Sequence, residues 1–252
     1  MGRHLHFDCF SGVSGDMVLG ALVSAGLSWT SLVDGLKRLK LRGYRLQKRE
    51  VHRGALPAIK VDVIVQQGFQ RPLTLSRIRK ILADSTLPGP VKERSRLVFA
   101  RLAEAESLAH RVDVKDVHFH EVGVVDSFID VVGGVLGCYL LNATRVTASP
   151  INVGAGSIQT SHGLLPVPGP AVAALARGVP IYADGPRCEL ATPTGVALLR
   201  TLASEFGPLP TMRSMAVGYG AGDHNPDGWP NVLRLFVEEE PTSAANQTER
   251  MI

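Results

Sequence analysis

The chain has 252 residues, 45% hydrophobic and 20% charged, with a formal net charge of +4. This is ordinary globular composition and excludes global disorder. Aromatics at 6% leave little material for base-stacking platforms and no dense Lys/Arg run exists, so the positive balance reads as a mild bias towards anionic small molecules, not as a nucleic-acid footprint.

The basic stretches Arg38–Arg53 and Arg77–Arg101 interleave with apolar residues and read as solvated faces. Cys9, Cys138 and Cys188 are far apart, odd in number and form no CxxC, so a disulfide framework is not expected and a reducing cytoplasm is the expected setting. The opening MGRHLHFDCF has no apolar h-region of a secretory leader. The longest apolar stretch, Val131–Leu141, is short and glycine-rich, which suits a buried helix and not a membrane span.

Strand and helix signals alternate along the chain, which predicts an α/β fold: mixed sheets flanked by helices, with strand–Gly-turn–helix units. His4–Phe7 reads as a strand, followed by the turn Ser11–Gly15 and a helix over Asp16–Ala25. A second helix covers Ser31–Leu39, and Tyr44–Val51 with Ala58–Val65 form a strand pair. Gln66–Pro72 is a loop, and a break between two lobes is placed near 66–74. Helices follow at Leu75–Leu82 and Val91–Ala109, then a short strand at Val117–Glu121 and a helix from Asp126 to about Leu141. Arg145–Ala148 and Val153–Thr160 are expected strands, and Leu164–Pro170, with three prolines, is expected to be extended. Ala171–Arg177 reads as a helix closed by Gly178. Thr192 as N-cap and Pro193 at the first position start a helix expected to reach Phe206. Met212–Gly218 and Val232–Val237 are closing strands, Gly218–Gly222 a flexible turn, and Glu238–Ile252 a linker-like tail.

Chemistry concentrates at three places. Asp8 ends an apolar strand just before the turn Ser11, Gly12, Gly15 that opens a helix with Asp16. Helix N-terminal amides attract anions and glycines let backbone approach a ligand. The plain alternative is that Asp8 bonds the turn and Asp16 complements the helix dipole. In the second place, His118 and His120 share one face of a strand, so two imidazoles can hold one ion, and Glu121 follows. Asp126 and Asp130 lie one helical turn apart on a shared face. So many polar groups at one strand-to-helix junction are costly unless something binds there. In the third place, His162 lies in a loop, and Glu189, Thr192 and Thr194 surround a helix start that can hold a phosphate or simply cap the helix.

Six segments in this order resemble the LarC nickel-insertion family: FDCFSGVSGDM (7–17), AEAESLAH (103–110), VHFHEVGVVDSFIDVVG (117–133), SPINVGAGSIQTSHGLLPVPGP (149–170), ELATPTG (189–195) and GYGAG (218–222). The resemblance covers residues 4–237. It implies a CTP-dependent cyclometallase that inserts nickel into a bis-thiocarboxylated pyridinium mononucleotide, forming nickel–carbon and nickel–sulfur bonds, for the cofactor of lactate racemase. The matched motifs carry Asp8, Asp16, His118, His120, Glu121, Asp126 and His162 over as functional positions. With the residue-level reading, Asp8, Asp16, Glu121 and Asp126 are expected to be catalytic. Ser11, Gly12, Gly15, His162, Glu189, Thr192 and Thr194 are expected to hold the nucleotide, and His118, His120 and Asp130 to hold the metal, for which imidazole is a suitable nickel donor.

Two departures from the family pattern stand out. The loop Gln66–Pro72 has no histidine where many members carry a histidine-rich tract, which puts metal storage there in doubt. Full-length members continue into a C-terminal domain expected to house the CTP chemistry with Mg or Mn, so residues 1–237 are expected to form an N-terminal α/β domain and 238–252 a linker to that domain or subunit. The alternatives are a non-catalytic metal- or nucleotide-binding scaffold and, more weakly, a metal-dependent phosphohydrolase. The expected partners are the anionic nucleotide and the C-terminal domain, with a homo-oligomer possible and neither nucleic acid nor membrane.

Overall fold

The computed structural model describes residues 1–69, 73–114, 117, 125–160 and 163–240. Its elements in chain order are β1 (Arg3–Asp8), α1 (Gly15–Ser24), α2 (Trp29–Lys37), β2 (Tyr44–Arg53), β3 (Leu56–Val65), α3 (Leu75–Asp84), α4 (Gly89–His110) and α5 (Val125–Leu140). There follow β4 (Ala143–Ala148), β5 (Ile151–Asn152), β6 (Ser157–Thr160), β7 (Gly163–Pro166), α6 (Pro170–Leu175), β8 (Ile181–Tyr182), α7 (Pro193–Leu202), β9 (Glu205–Phe206), β10 (Ser214–Ala221) and β11 (Val232–Glu239). A seven-stranded sheet of order β2-β3-β10-β11-β1-β4-β9 carries the fold, with small two-stranded sheets β5-β8 and β6-β7 beside it. The sheet is mixed: β1 runs parallel to β4 and antiparallel to β11. The α/β class read from the alternation of signals is therefore observed.

The alternation in β1 sorts its side chains. Leu5 and Phe7 are fully buried in the core, whereas His4, His6 and Asp8 point the other way. Helix α1 crosses the sheet at backbone distance. A Cβ on Gly220 of β10 would fall 1.8 Å from the Met17 carbonyl oxygen, and one on Gly20 of α1 would fall 2.2 Å from that of Ile59. Only glycine permits this approach. Helix α5 is apolar almost all round and lies inside the helical layer, its Phe128 stacked on Phe99 of α4 with centroids 5.5 Å apart. Among the described residues no helix is long and apolar enough to cross a membrane.

Several boundaries differ from the sequence reading. Gly218–Gly222 is not a turn: Gly218 to Ala221 belong to β10, paired with β11. Val153–Thr160 is not one strand. Gly154 and Gly156 take positive φ, and they separate β5 from β6 while Gly154 bridges Glu189. The extended proline segment ends earlier than expected, because Pro170 already starts α6. Helix α7 stops at Leu202, and Glu205–Phe206 instead pairs with β4. Glu238 and Glu239, read as tail, are the end of β11. Of the expected strand Val117–Glu121, only Val117 is among the described residues, and it is buried.

Candidate functional site

The glycine turn after β1 is laced to the segment before α7. The Val13 amide donates to the Leu190 carbonyl (3.0 Å) and the Thr192 amide to the Val13 carbonyl (2.9 Å). Gly12 has φ +76°, and a Cβ there would lie 2.0 Å from the Leu190 oxygen; a Cβ on Gly195 would lie 2.3 Å from the Val13 oxygen. The two helix starts singled out in the sequence are thus fixed side by side. Helix α5 joins them, because a Cβ on Gly15 would meet Asp130 Cβ at 2.6 Å. The N-termini of α1, α5 and α7 therefore open onto one cavity of about 630 Å³, lined among others by Gly15, Asp16, Asp126, Asp130, Thr192 and Thr194.

A buried lysine organises its acids. Lys60 on β3 is only 3% exposed. Its ammonium pairs with Asp16, with Asp223 at 2.8 Å and with Asp62 at 3.6 Å. Burial alone lowers the Lys60 pKa, but the Asp16 and Asp223 carboxylates outweigh it and the net shift is upward. Asp16 also accepts from the Ser14 hydroxyl and from the Met17 amide (2.9 Å), and Asp126 accepts from the Ser127 amide (2.8 Å). Both acids thus complement the start of their own helix. Asp130 has no such support. Its residue is half-buried, and its Oδ1 is shielded and has no hydrogen-bond partner among the described residues. Burial, then the charges of Asp16 and Asp126, push its pKa well above the usual carboxylate range, and Lys60 offsets only part of this. The Glu106–His110 pair of α4 (3.2 Å), Glu189, His224 and Asn231 complete the polar wall.

The expected residues divide into groups. Gly15, Asp16, Asp126, Asp130, Glu189, Thr192 and Thr194 line the cavity. Ser11 and Gly12 lie in the structure behind it. The Ser11 hydroxyl accepts from Trp229 Nε1 (2.8 Å) and donates to Asn231 Oδ1 (3.3 Å). Asp8 is not part of the lining; its carboxylate is held by Arg234 Nε at 3.0 Å. His118, His120, Glu121 and His162 lie outside the described residues, although Asp126 and Thr160, close to them in the chain, line the cavity. Among the described residues no group of three or more His, Cys, Asp or Glu is disposed to hold a metal.

A match to the nickel insertion protein family spans residues 5–252. The chain belongs to that family. It is 44% identical over 234 residues to a putative nickel insertion protein of Syntrophobacter fumaroxidans, covering 93% of this chain and 60% of the relative. It is 47% identical over 234 residues to the pyridinium-3,5-bisthiocarboxylic acid mononucleotide nickel insertion protein of Desulfitobacterium hafniense, covering 93% of this chain and 58% of that one. A protein of the same name from Nocardioides is 48% identical over 230 residues, covering 91% and 58%. The chain thus spans about three fifths of the length of these curated relatives. No solved structure matches it.

Within this member of the nickel insertion family, sequence reading missed Lys60, Asp62, Glu106, His110, Asp223 and His224, all of which line the cavity. A signal existed for some. Lys60 and Asp62 put two charges at period two on one face of an otherwise apolar strand. Glu106 and His110 are an i,i+4 pair inside one of the matched segments. Asp223 and His224 had no local signal; the pairing of β10 with β3 brings Asp223 to Lys60.

Proposed function

We propose that this chain carries the substrate cavity for nickel insertion into pyridinium-3,5-bisthiocarboxylic acid mononucleotide, in the biosynthesis of a nickel-pincer nucleotide cofactor. One observation carries the reading: segments shared with the nickel insertion family converge as the N-termini of α1, α5 and α7 on a single cavity. The cavity has two chemically different ends. Helix α7 has no acid in its first turn and presents Thr192 and Thr194, which suits the nucleotide phosphate. The ends of α1 and α5 present Asp16, Asp126 and Asp130, which suit a cation.

Nickel is the cargo here. We assign His118 and His120 as its imidazole donors, Asp130 as a further metal donor, Glu121 as a further acid of the site and His162 as a nucleotide contact. CTP-dependent activation, with Mg or Mn, is assigned to the additional region of the longer relatives, and the setting is cytoplasmic. The phosphohydrolase reading loses to this one, because the family match supports nickel chemistry.

Calorimetric titration with nickel(II) tests the reading. The chain is expected to bind nickel with a dissociation constant in the micromolar range or tighter, and changing both His118 and His120 to Ala is expected to weaken it at least about tenfold, or 1.4 kcal/mol. Unchanged binding in the double variant removes these residues from the metal role. A second reading is a binding module for a separate CTP-using part. It predicts no cofactor formation from thiolated nucleotide, CTP and nickel by the 252 residues alone, and formation once the additional region of the longer relatives is supplied.

A further inference from the structure

One stretch of the cavity wall carries no charge. Between positions 158 and 172 every described lining residue is uncharged: Ile158, Thr160, Leu165 and residues 169–172. The acids of the described lining, and Lys60, all come from other segments. The hairpin β6–β7 builds the first part of this stretch. Its strands pair only with each other, and the Val167 amide closes its base on the Gly156 carbonyl at 3.0 Å. Period two turns Ile158, Thr160 and Leu165 to the cavity and leaves Leu164 68% exposed on the other side. Ile158 stands directly opposite Leu165 in the register, a spacing that merges two side chains into one aliphatic patch. Both are half-buried, and neither belongs to the hydrophobic core. Ligand cavities use such apolar surface to hold the flat, apolar part of a ligand, and a few polar groups to orient it.

A pyridinium mononucleotide has one part that matches this wall. Its phosphate and ring acids are anionic and its ribose is polar, whereas each face of the ring is flat and carries no hydrogen-bonding group. The ring acids lie at the edge of the ring, so an aliphatic wall covers a face without taking them out of water. Against the acid-bearing walls the same anionic groups meet like charge. We infer that the β6–β7 hairpin is the ring-binding wall: Ile158 and Leu165 lie against one face of the pyridinium ring and set the cavity's preference for a nucleotide with a planar ring over a bare sugar phosphate. This rests on the reading of the cavity as the mononucleotide site. The hairpin contributes affinity by removing apolar surface from water, and the polar groups of the helix starts orient the molecule.

The test compares two probes on the 252-residue chain. One is nicotinate mononucleotide, a pyridinium mononucleotide with a ring carboxylate and no sulfur. The other is ribose 5-phosphate, which has the same sugar phosphate and no ring. Calorimetry gives both dissociation constants, the second by competition. Wild type is expected to prefer the nucleotide at least about tenfold, since a single missing methylene in an apolar pocket is worth roughly 10–200-fold. Changing both Ile158 and Leu165 to Ala is expected to weaken nucleotide binding at least about tenfold and ribose 5-phosphate binding less than about twofold, with a thermal melt to verify folding. If the double variant does not fold, NMR on the wild type decides: cross-relaxation between the nucleotide's ring protons and the methyl groups of Ile158 and Leu165 is expected, and its absence overturns the inference. No preference in the wild type, equal weakening of both probes or unchanged nucleotide binding in the double variant also overturns the inference and leaves the mononucleotide reading standing. Binding of neither probe by the wild type overturns both.

Discussion

Asp8 and Asp16 stand on either side of one glycine turn and end in opposite situations. Asp8 belongs to a cluster whose charges are matched. Arg234 holds it while lying over the Phe236 ring, 4.9 Å from its centroid. Beside it, His4 Nε2 and His6 Nδ1 share the Thr147 hydroxyl at 2.9 Å each, although His6 Nε2 has no partner among the described residues. Asp16 belongs to a cluster in which one lysine serves several acids and Asp130 is left over. Unmatched charge around a cavity is the sign of a ligand. Matched charge on a sheet is the sign of a fold that has satisfied itself. The same sequence signal, an acid at a glycine turn, led to both.

The largest effect that sharpens this contrast belongs to Lys60. Lys60→Met leaves Asp16, Asp223 and Asp130 facing one another without their shared cation. Removing one partner of a buried ion pair is expected to cost about 3–5 kcal/mol. Urea unfolding at pH 7 measures this, and a loss under about 1 kcal/mol would mean that the lysine does not organise the cavity.

The two clusters should also respond to pH with opposite signs. Burial, and for His4 also Arg145, holds the His4 and His6 pKa values below 6.5. The unfolded chain therefore takes up protons first, and their contribution is present above about pH 6.5 and lost as pH falls through the depressed folded values. Asp130 is the reverse. Its folded pKa is raised from 3.8 by burial and by Asp16 and Asp126, so its contribution is present at low pH and lost as pH rises through the folded value. Each proton contributes a slope of up to about 1.4 kcal/mol per pH unit. Stability against pH is expected to lose its acidic-side fall when His4 and His6 are both replaced by Gln. Its loss on raising pH should shrink in Asp130→Asn. Matching curves for wild type and both variants would contradict the assignment.

The smallest effect belongs to Arg234, whose side chain is 38% exposed. Arg234→Ala is expected to cost about 1 kcal/mol or less in unfolding and to leave mononucleotide affinity unchanged. An affinity loss comparable to that of cavity variants would bring the Asp8 cluster back into the site.

Much of this was legible before any coordinates. Strand β1, helices α1 and α5 and the Thr192–Pro193 start of α7 follow from period, glycine position and capping chemistry. Asp16, Asp126, Asp130 and the Thr192 and Thr194 helix start all reached one cavity. What failed was local. Gly218 and Gly220 look like turn residues, yet they serve a close helix–sheet contact that only the packing of α1 on β10 explains. Glu205–Phe206 continue the apolar pattern of α7, but pairing with β4 claims them. Lys60 escapes sequence reading because a lone lysine in a strand ordinarily faces solvent, and its burial depends on Asp16 of α1 and on Asp223, two residues beyond β10. Asp8 carried a motif signal identical in kind to that of Asp16, and its pairing with Arg234 arises from the register of β1 against β11.

The central claim is that ligand chemistry resides with the unmatched acids and not with the matched ones. Asp130→Asn and Asp8→Asn compared side by side test it most directly, in titrations of nicotinate mononucleotide with nickel(II) present. The account predicts at least about a tenfold weaker dissociation constant for Asp130→Asn, equal to 1.4 kcal/mol, and less than about a twofold change for Asp8→Asn. The opposite ranking would contradict it.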